Sequence, residues 1–477
     1  PTYNMWQNTA YFVKAAWDNC PSVLLICLLL AVATAGATVV EMLFVPVVLG
    51  QVEGHVPLPQ LLATIGVFTL ALLLMWGGKS YLNTNALFGR IEVRTEMSAR
   101  ISRKITGTSY ANLLDTKFRE YENLAYRTCD GNADAAEAIW TTWTDILTNV
   151  LGFVVYLLLL SGLNGWMVTL VVLTTAVGFM VSQHLEGWGY RHREERAASL
   201  KTIYYAKDVA TKREYAQDIR IFGLRPWLDE VWGSAMCAYQ AFLTRRERVY
   251  FGVHVVDALL TLLRNGGAYA YLIWLTLTQG LPASQFLLYF AAISGFTQWV
   301  KGIMEQVSTL HRQSLELSNL REFLEWPEPF AFEEGAPLPQ GLKECEILLD
   351  HVSYRYPGAE KDTITDLSFT LHPGEKVAIV GLNGAGKTTL VKLLCGFLDP
   401  TEGSVRLNGV DIRTYNRREY YHLFSAVFQE FSVLDTSVAV NVAQRVEDID
   451  RERVAKCLEQ AGLTQAVEAL PRGMDTP

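Results

Sequence analysis

The chain has no pair of cysteines at metal-ligand or redox spacing. Its seven cysteines, Cys20, Cys27, Cys129, Cys237, Cys345, Cys395 and Cys457, lie scattered through 477 residues. Neither a zinc site nor a disulfide framework is indicated. Charge is scarce too: 19% of residues are Asp, Glu, Lys or Arg, and the formal net charge is −8. A nucleic-acid partner would want a basic patch, so that class is not expected. The N-terminus does not read as a cleavable signal peptide, because a polar, aromatic stretch precedes the first apolar run.

What is abundant is apolar sequence, at 50% of residues. Six stretches are long enough to cross a bilayer, which takes about 20 residues each. They lie near 22–49, 58–78, 144–163, 166–183, 251–279 and 283–305. The short segments between them, 50–57, 164–165 and 280–282, hold no Lys or Arg. The long segments 79–143 and 184–250 are basic, carrying among others Lys79, Arg90, Arg94, Arg191, Arg193 and Arg245. Cytoplasmic loops carry the excess of Lys and Arg, so both long segments and both termini are expected in the cytoplasm of a plasma or inner membrane. These segments are rich in Glu, Arg, Ala and Leu and nearly free of Pro and Gly. The spans are therefore expected to run on as helices past the membrane. They would end in turns near Leu114–Asn123 and Asp218–Asp229 that could touch a soluble domain. Glu41 and Arg264 are charges at membrane depth and form a possible pair.

Residues 326–340 are rich in Pro and Glu and break any helix. They divide a transmembrane domain (1–325) from a soluble part (346–477), with 326–345 as linker. The soluble part has α/β patterning. Within it the strand-like run Val377–Val380 leads into Gly381-Leu382-Asn383-Gly384-Ala385-Gly386-Lys387-Thr388, followed by the helix-forming run Thr388–Leu394. This is a phosphate-binding loop in strand-to-helix context. Successive backbone N–H groups form a nest for an anion, and the helix N-terminus adds its positive dipole end. Gly381, Gly384 and Gly386 let the backbone curl. Asn383, Ala385 and Thr389 belong to the same cradle. Lys387 would reach the β- and γ-phosphates, and the Thr388 hydroxyl would ligate Mg²⁺. ATP and Mg²⁺ are the expected ligands.

Three further segments flank this loop: Val352-Ser353-Tyr354-Arg355-Tyr356-Pro357, Pro400–Val405 with Asn408–Asp411, and Val427-Phe428-Gln429-Glu430. With the loop they resemble the nucleotide-binding domain of an ATP-binding cassette (ABC) transporter. Six spans followed by one such domain resemble an exporter half-transporter of that superfamily. The fold class implied is a membrane α-helical bundle plus an incomplete α/β P-loop domain. The resemblance implies that Tyr356 stacks on adenine, with Tyr354 as the alternative. It implies that Gln429 lies near Mg²⁺ and the γ-phosphate. It also implies ATP-driven export of a peptide, lipid or hydrophobic compound by a dimer of half-transporters, a homodimer more readily than a heterodimer.

The sequence departs from the family after Gln429. It contains no LSGGQ-like motif and no apolar run ending in Asp-Glu beyond that point, and its last histidine is His422. The catalytic glutamate of the family has no counterpart in the 477 residues. Two expectations follow: a piece of a longer half-transporter, or a short, catalytically inactive ATP-binding partner or nucleotide-gated regulator. In either case this polypeptide is not expected to turn ATP over efficiently. Leu470–Pro477 resembles the stretch just ahead of the family's signature region.

Overall fold

The computed structural model describes residues 2–160, 165–339, 341–342, 344–427 and 433–477. Two compact units divide the chain: Pro1–Thr108 with Asn112–Pro327, and Ser109–Ala111 with Glu328–Pro477. The division at Pro327 falls inside the Pro-rich stretch.

The first unit is helical. Its order is α1 (Met5–Asn19), α2 (Ser22–Glu53), α3 (Leu58–Gly107), α4 (Tyr110–Leu114), α5 (Thr116–Cys129), α6 (Ala135–Leu160), α7 (Gly165–Arg191), α8 (Arg193–Thr211), α9 (Ala216–Ile221), α10 (Arg225–Gln279) and α11 (Ala283–Leu324). Local chemistry sets several ends. Asn4 and Gln7 close a capping box at the start of α1. Pro57 and Pro282 precede α3 and α11, where a missing N–H costs nothing. Gly280 ends α10 in the left-handed conformation. At about 1.5 Å per residue the 55 residues of α10 run far beyond the ~30 Å hydrocarbon thickness. Among the described residues α2, α3 and α6 are long and apolar enough to cross a membrane. Their outer faces present Leu62, Leu70, Leu73 and Leu158 to the surroundings.

Among the described residues two apolar clusters hold this unit. One gathers Phe12, Val93, Met97, Phe118, Trp140, Leu317 and Phe323. The other gathers Tyr156, Leu160, Ala268, Leu272, Ile293 and Phe296. Glycine makes close packing possible between α6 and α11, which run antiparallel. A Cβ at Gly152 would lie 2.4 Å from the Trp299 ring, and one at Gly295 would lie 2.2 Å from the Tyr156 ring. Small residues that admit a large neighbour are the usual means of tight helix packing in a bilayer, where apolar burial gives no drive.

Two sequence expectations change here. Glu41 does not pair with Arg264: its carboxylate is exposed and accepts from Trp76 Nε1 at 2.9 Å, whereas Arg264 is buried on α10 and donates to Thr261 Oγ1 at 3.0 Å. Each bonds a neutral partner, and no ion pair joins the two. The turns also shift. Residues 116–123 lie inside α5, so the break after α3 is Thr108–Asp115. The second break, Lys212–Leu224, holds the short α9 and then Gly223 with φ +59°, and residues 225–229 already belong to α10.

In the second unit β1 (Ile347–Tyr354), β2 (Ile364–Leu371), β3 (Glu402–Leu407) and β4 (Val410–Asp411) form one antiparallel sheet in the order β2-β1-β3-β4. Ile347 pairs with Leu371 on one side and Leu407 on the other. The helices are α12 (Lys387–Leu394), α13 (Arg417–Tyr421), α14 (Val438–Ala443), α15 (Arg451–Gln460) and α16 (Thr464–Glu468). Leu349, Val352, Leu393, Val405, Leu407 and Tyr420 are buried. The strand-like run Val377–Val380 is not a strand among the described residues: no ladder flanks it, and Val380 is 93% exposed. An apolar run becomes a strand only where neighbours take its backbone hydrogen bonds. Part of the Pro-rich stretch is fixed to this unit. Ala336 N–H donates to Thr414 O at 2.8 Å, and Phe330 lies on the Arg417 guanidinium at 4.3 Å. Buried Arg417 is paired with Asp399 at 2.8 Å.

Phe118 is fully buried against Phe323 at 5.1 Å and Trp326 at 5.8 Å. Phe118→Ala is expected to destabilise the helical unit by about 3–5 kcal/mol, read as a lower melting temperature of the full chain in detergent.

Candidate functional site

The loop between β2 and α12 owes its shape to two glycines. Gly384 has φ +83° and Gly386 φ +86°, a region that a Cβ opposes. At Gly386 space is short as well, since a Cβ would lie 3.1 Å from the Thr363 carbonyl oxygen at the start of β2. Gly386 is the residue before α12 and offers no side-chain cap. The first N–H groups of α12, from Lys387, Thr388 and Thr389, therefore have no intrahelical acceptor. They stand beside Gly381, Leu382, Asn383, Gly384 and Ala385, all exposed.

Lys387 is folded back on this loop. Its Nζ donates to the carbonyls of Gly381 and Leu382, both at 2.7 Å. The ammonium is thus held inside the curl by two neutral acceptors. An anionic oxygen arriving there would be the stronger acceptor, because charge-assisted hydrogen bonds are about twice as strong as neutral ones. Thr388 is exposed, with its hydroxyl at the loop surface, and Thr389 is buried. The Thr389 hydroxyl lies 3.0 Å from the Tyr356 hydroxyl. That bond ties the segment after β1 to the first turn of α12.

Tyr354 and Tyr356 meet edge to face, with ring centroids 5.0 Å apart. Tyr354 is buried, and burial, with smaller contributions from Tyr356 and Tyr110, pushes its phenol up to about 12. It stays neutral at physiological pH and packs as core. Tyr356 is only partly buried, and its hydroxyl reaches the first turn of α12. Gln429 lies outside the described residues. Among the described residues no group of three His, Cys, Asp or Glu could hold a metal. The donor set suits instead an ion carried largely by phosphate oxygens and water, with one protein hydroxyl.

Residues 364–475 match the family model described as ABC transporter. The whole fold resembles the solved structure of a bacterial Atm1-family ABC exporter with ATP bound, with a TM-score of 0.75 and 18% identity over 95% of this chain and 79% of that one. Residues 364–475 are an ABC transporter domain, and the chain as a whole has the fold of an ABC exporter.

Relatives of the chain include the ATP-dependent lipid A-core flippase of Burkholderia orbicola, 40% identical over 30% of this chain and 23% of that one. The corresponding flippase of a Polaromonas species is 25% identical over 78% of this chain and 63% of its own length. A beta-(1→2)glucan export ATP-binding/permease protein of Brucella abortus is 32% identical over 39% of this chain. The chain thus spans less than two thirds of these flippases. Domains of the ABC family bind ATP, and the helical unit makes this a multi-pass membrane protein. The matched stretch contains the loop 381–388 and Gln429, while Tyr356 lies just ahead of it. The bond between Tyr356 and Thr389 was not legible in the sequence. Nothing in the spacing of two residues on different elements announces a shared hydroxyl contact.

Gly386→Ala combines a left-handed backbone with a close approach and is expected to cost about 2–3 kcal/mol locally, against about 1–2 for Gly384→Ala. Faster amide hydrogen exchange of α12 in the first variant than in the second is the measurement.

Proposed function

We propose that this protein is the ATP-dependent half of a dimeric exporter, with its nucleotide unit and both termini in the cytoplasm. The observation that carries the reading is the curled loop with Lys387 held over it. This is a cradle of backbone N–H groups and one ammonium, shaped for the β- and γ-phosphates of ATP. In it Gly381, Asn383, Gly384, Ala385 and Gly386 supply backbone donors, and Lys387 turns from the loop carbonyls to the phosphate oxygens. Thr389 stabilises the helix end and positions Tyr356, whose ring lies against adenine. Thr388 and Gln429 would hold Mg²⁺, which neutralises charge on the phosphates when bound. The basic segments 79–143 and 184–250 support the orientation.

Dimer formation is supported by the break after α8. Ile221 and Phe222 there are 76% and 70% exposed. Two large apolar residues at the tip of a long helical hairpin suit a protein surface better than water. We infer that the Lys212–Leu224 turn, and the Thr108–Asp115 turn with it, carry the closure of the nucleotide domains to the helical unit. The export of lipid- or glycan-bearing molecules named for the relatives favours an amphipathic cargo here.

Equilibrium titration of the full chain with a fluorescent ATP analogue tests the site. Lys387→Met is expected to weaken binding at least tenfold, about 1.4 kcal/mol or more. Tyr356→Ala is expected to weaken it several-fold, and Tyr356→Phe, which keeps the ring, much less. Equal affinity in wild type and Lys387→Met would refute the reading.

A further inference from the structure

Arg264 is the one buried arginine on α10, 4% exposed, and the functional reading so far leaves it without a task. Its surroundings are unusual for a full charge. Nη2 donates to Thr261 Oγ1 at 3.0 Å, within the same helix. Nε is buried and makes no hydrogen bond, and the adjacent Asn265 Oδ1 is likewise buried without a partner. No carboxylate among the described residues pairs with the guanidinium. Asp257, two helical turns earlier, is bound to Lys301 Nζ at 3.3 Å, and Glu41 is bound to Trp76.

The helical period puts Arg264 in the seam between α7 and α11. Ala268 and Leu272, on the same stripe of α10, pack with Ile293 and Phe296 of α11. On the other flank a Cβ at Gly267 would meet Leu170 Cδ2 at 3.5 Å, and one at Gly178 would meet Leu260 Cδ1 at 3.4 Å. These two contacts fix α7 antiparallel to α10 and bring Thr174 level with Arg264. Thr174 and Thr175 are both buried, 6% and 7% exposed. Two threonines of α7 thus share one level of the bundle with Thr261, Arg264 and Asn265 of α10, and apolar side chains lie on either side.

We propose that Arg264 anchors an anion-binding subsite in the membrane bundle, which takes a phosphate or carboxylate group of the exported molecule. The inference rests on the reading of the helical unit as the cargo path. A charge without a counter-ion inside a bundle is expensive, and such groups mark substrate or ion pathways. The guanidinium has donors to spare and binds phosphate or carboxylate oxygens with two parallel hydrogen bonds. Thr261 sets its hydroxyl against the charge, and the Asn265 carboxamide oxygen accepts from any hydroxyl the ligand carries. The apolar flanks suit an acyl or aromatic portion.

The test uses the full chain in a neutral detergent, titrated with lysophosphatidic acid and, separately, with lysophosphatidylcholine of the same chain length. Binding is read by intrinsic tryptophan fluorescence. The wild type is expected to prefer the phosphate monoester at least tenfold. Arg264→Lys is expected to keep most of that preference, and Arg264→Met to lose it while still binding the choline lipid. Competition by inorganic phosphate would identify a small anion as sufficient ligand, and competition by the lipid alone would identify a lipid headgroup. Removing a charge that serves only a ligand should also leave the unliganded melting temperature equal or higher. Absence of a preference in the wild type, or its retention in Arg264→Met, overturns the proposal. So does a clear loss of melting temperature or failure to fold in Arg264→Met, which would make the arginine structural. None of these readouts involves nucleotide, so Lys387-dependent ATP binding stands or falls separately.

Discussion

The constraint on which this molecule depends is that a bilayer offers no hydrogen bonds. Every backbone N–H and C=O within the hydrocarbon must be satisfied by the chain itself, and helices do so. That requirement explains why the first unit is built from helices as long as α3, α10 and α11. It also explains how they are joined. With no gain from hiding apolar groups from lipid, the helices associate through shape. Gly152 and Gly295 admit the rings of Trp299 and Tyr156 to distances that a side chain would forbid. The aromatic rings occupy the room the glycines leave.

The same scarcity of polar partners raises the consequence of each charge. Asp257 finds Lys301, Arg94 finds Glu137 at 3.0 Å, and Glu41 finds the Trp76 indole. Among the described residues Arg264 has the Thr261 hydroxyl of its own helix and no carboxylate in an ion pair, and so it invites a functional reading rather than a structural one. In the nucleotide unit the balance is reached differently. Buried Arg417 is satisfied by Asp399 and the Gly396 carbonyl at 2.9 Å. It lies on the Phe330 ring and so helps fix part of the Pro-rich stretch to this unit. Breaking such a pair from one side leaves an uncompensated charge, which costs several kcal/mol.

In the nucleotide unit two side chains of the phosphate loop's surroundings are held by neutral hydrogen bonds. Lys387 satisfies itself on loop carbonyls, and Tyr356 satisfies itself on Thr389. Both are side chains whose expected partners are parts of a nucleotide. Each is held close to its working place by a neutral hydrogen bond that a charged or stacking partner can outcompete. Pre-placement of this kind lowers the ordering needed on binding.

Much of this was legible in the residues. The loop 381–388 announces itself, because its glycines and Lys387 stand at spacings that only a phosphate cradle requires. The apolar runs and the basic segments between them follow from transfer energies that act residue by residue. The α/β character of the soluble part follows from local pattern and turn residues. What only the tertiary structure decided was partnership. It separated Glu41 from Arg264, left Val377–Val380 without a ladder, moved the helical turns, and joined Tyr356 to Thr389. Propensity, hydropathy and loop chemistry are properties of neighbours along the chain. The satisfaction of a charge, a hydroxyl or a strand edge depends on residues far away in sequence, and only folding brings those to hand.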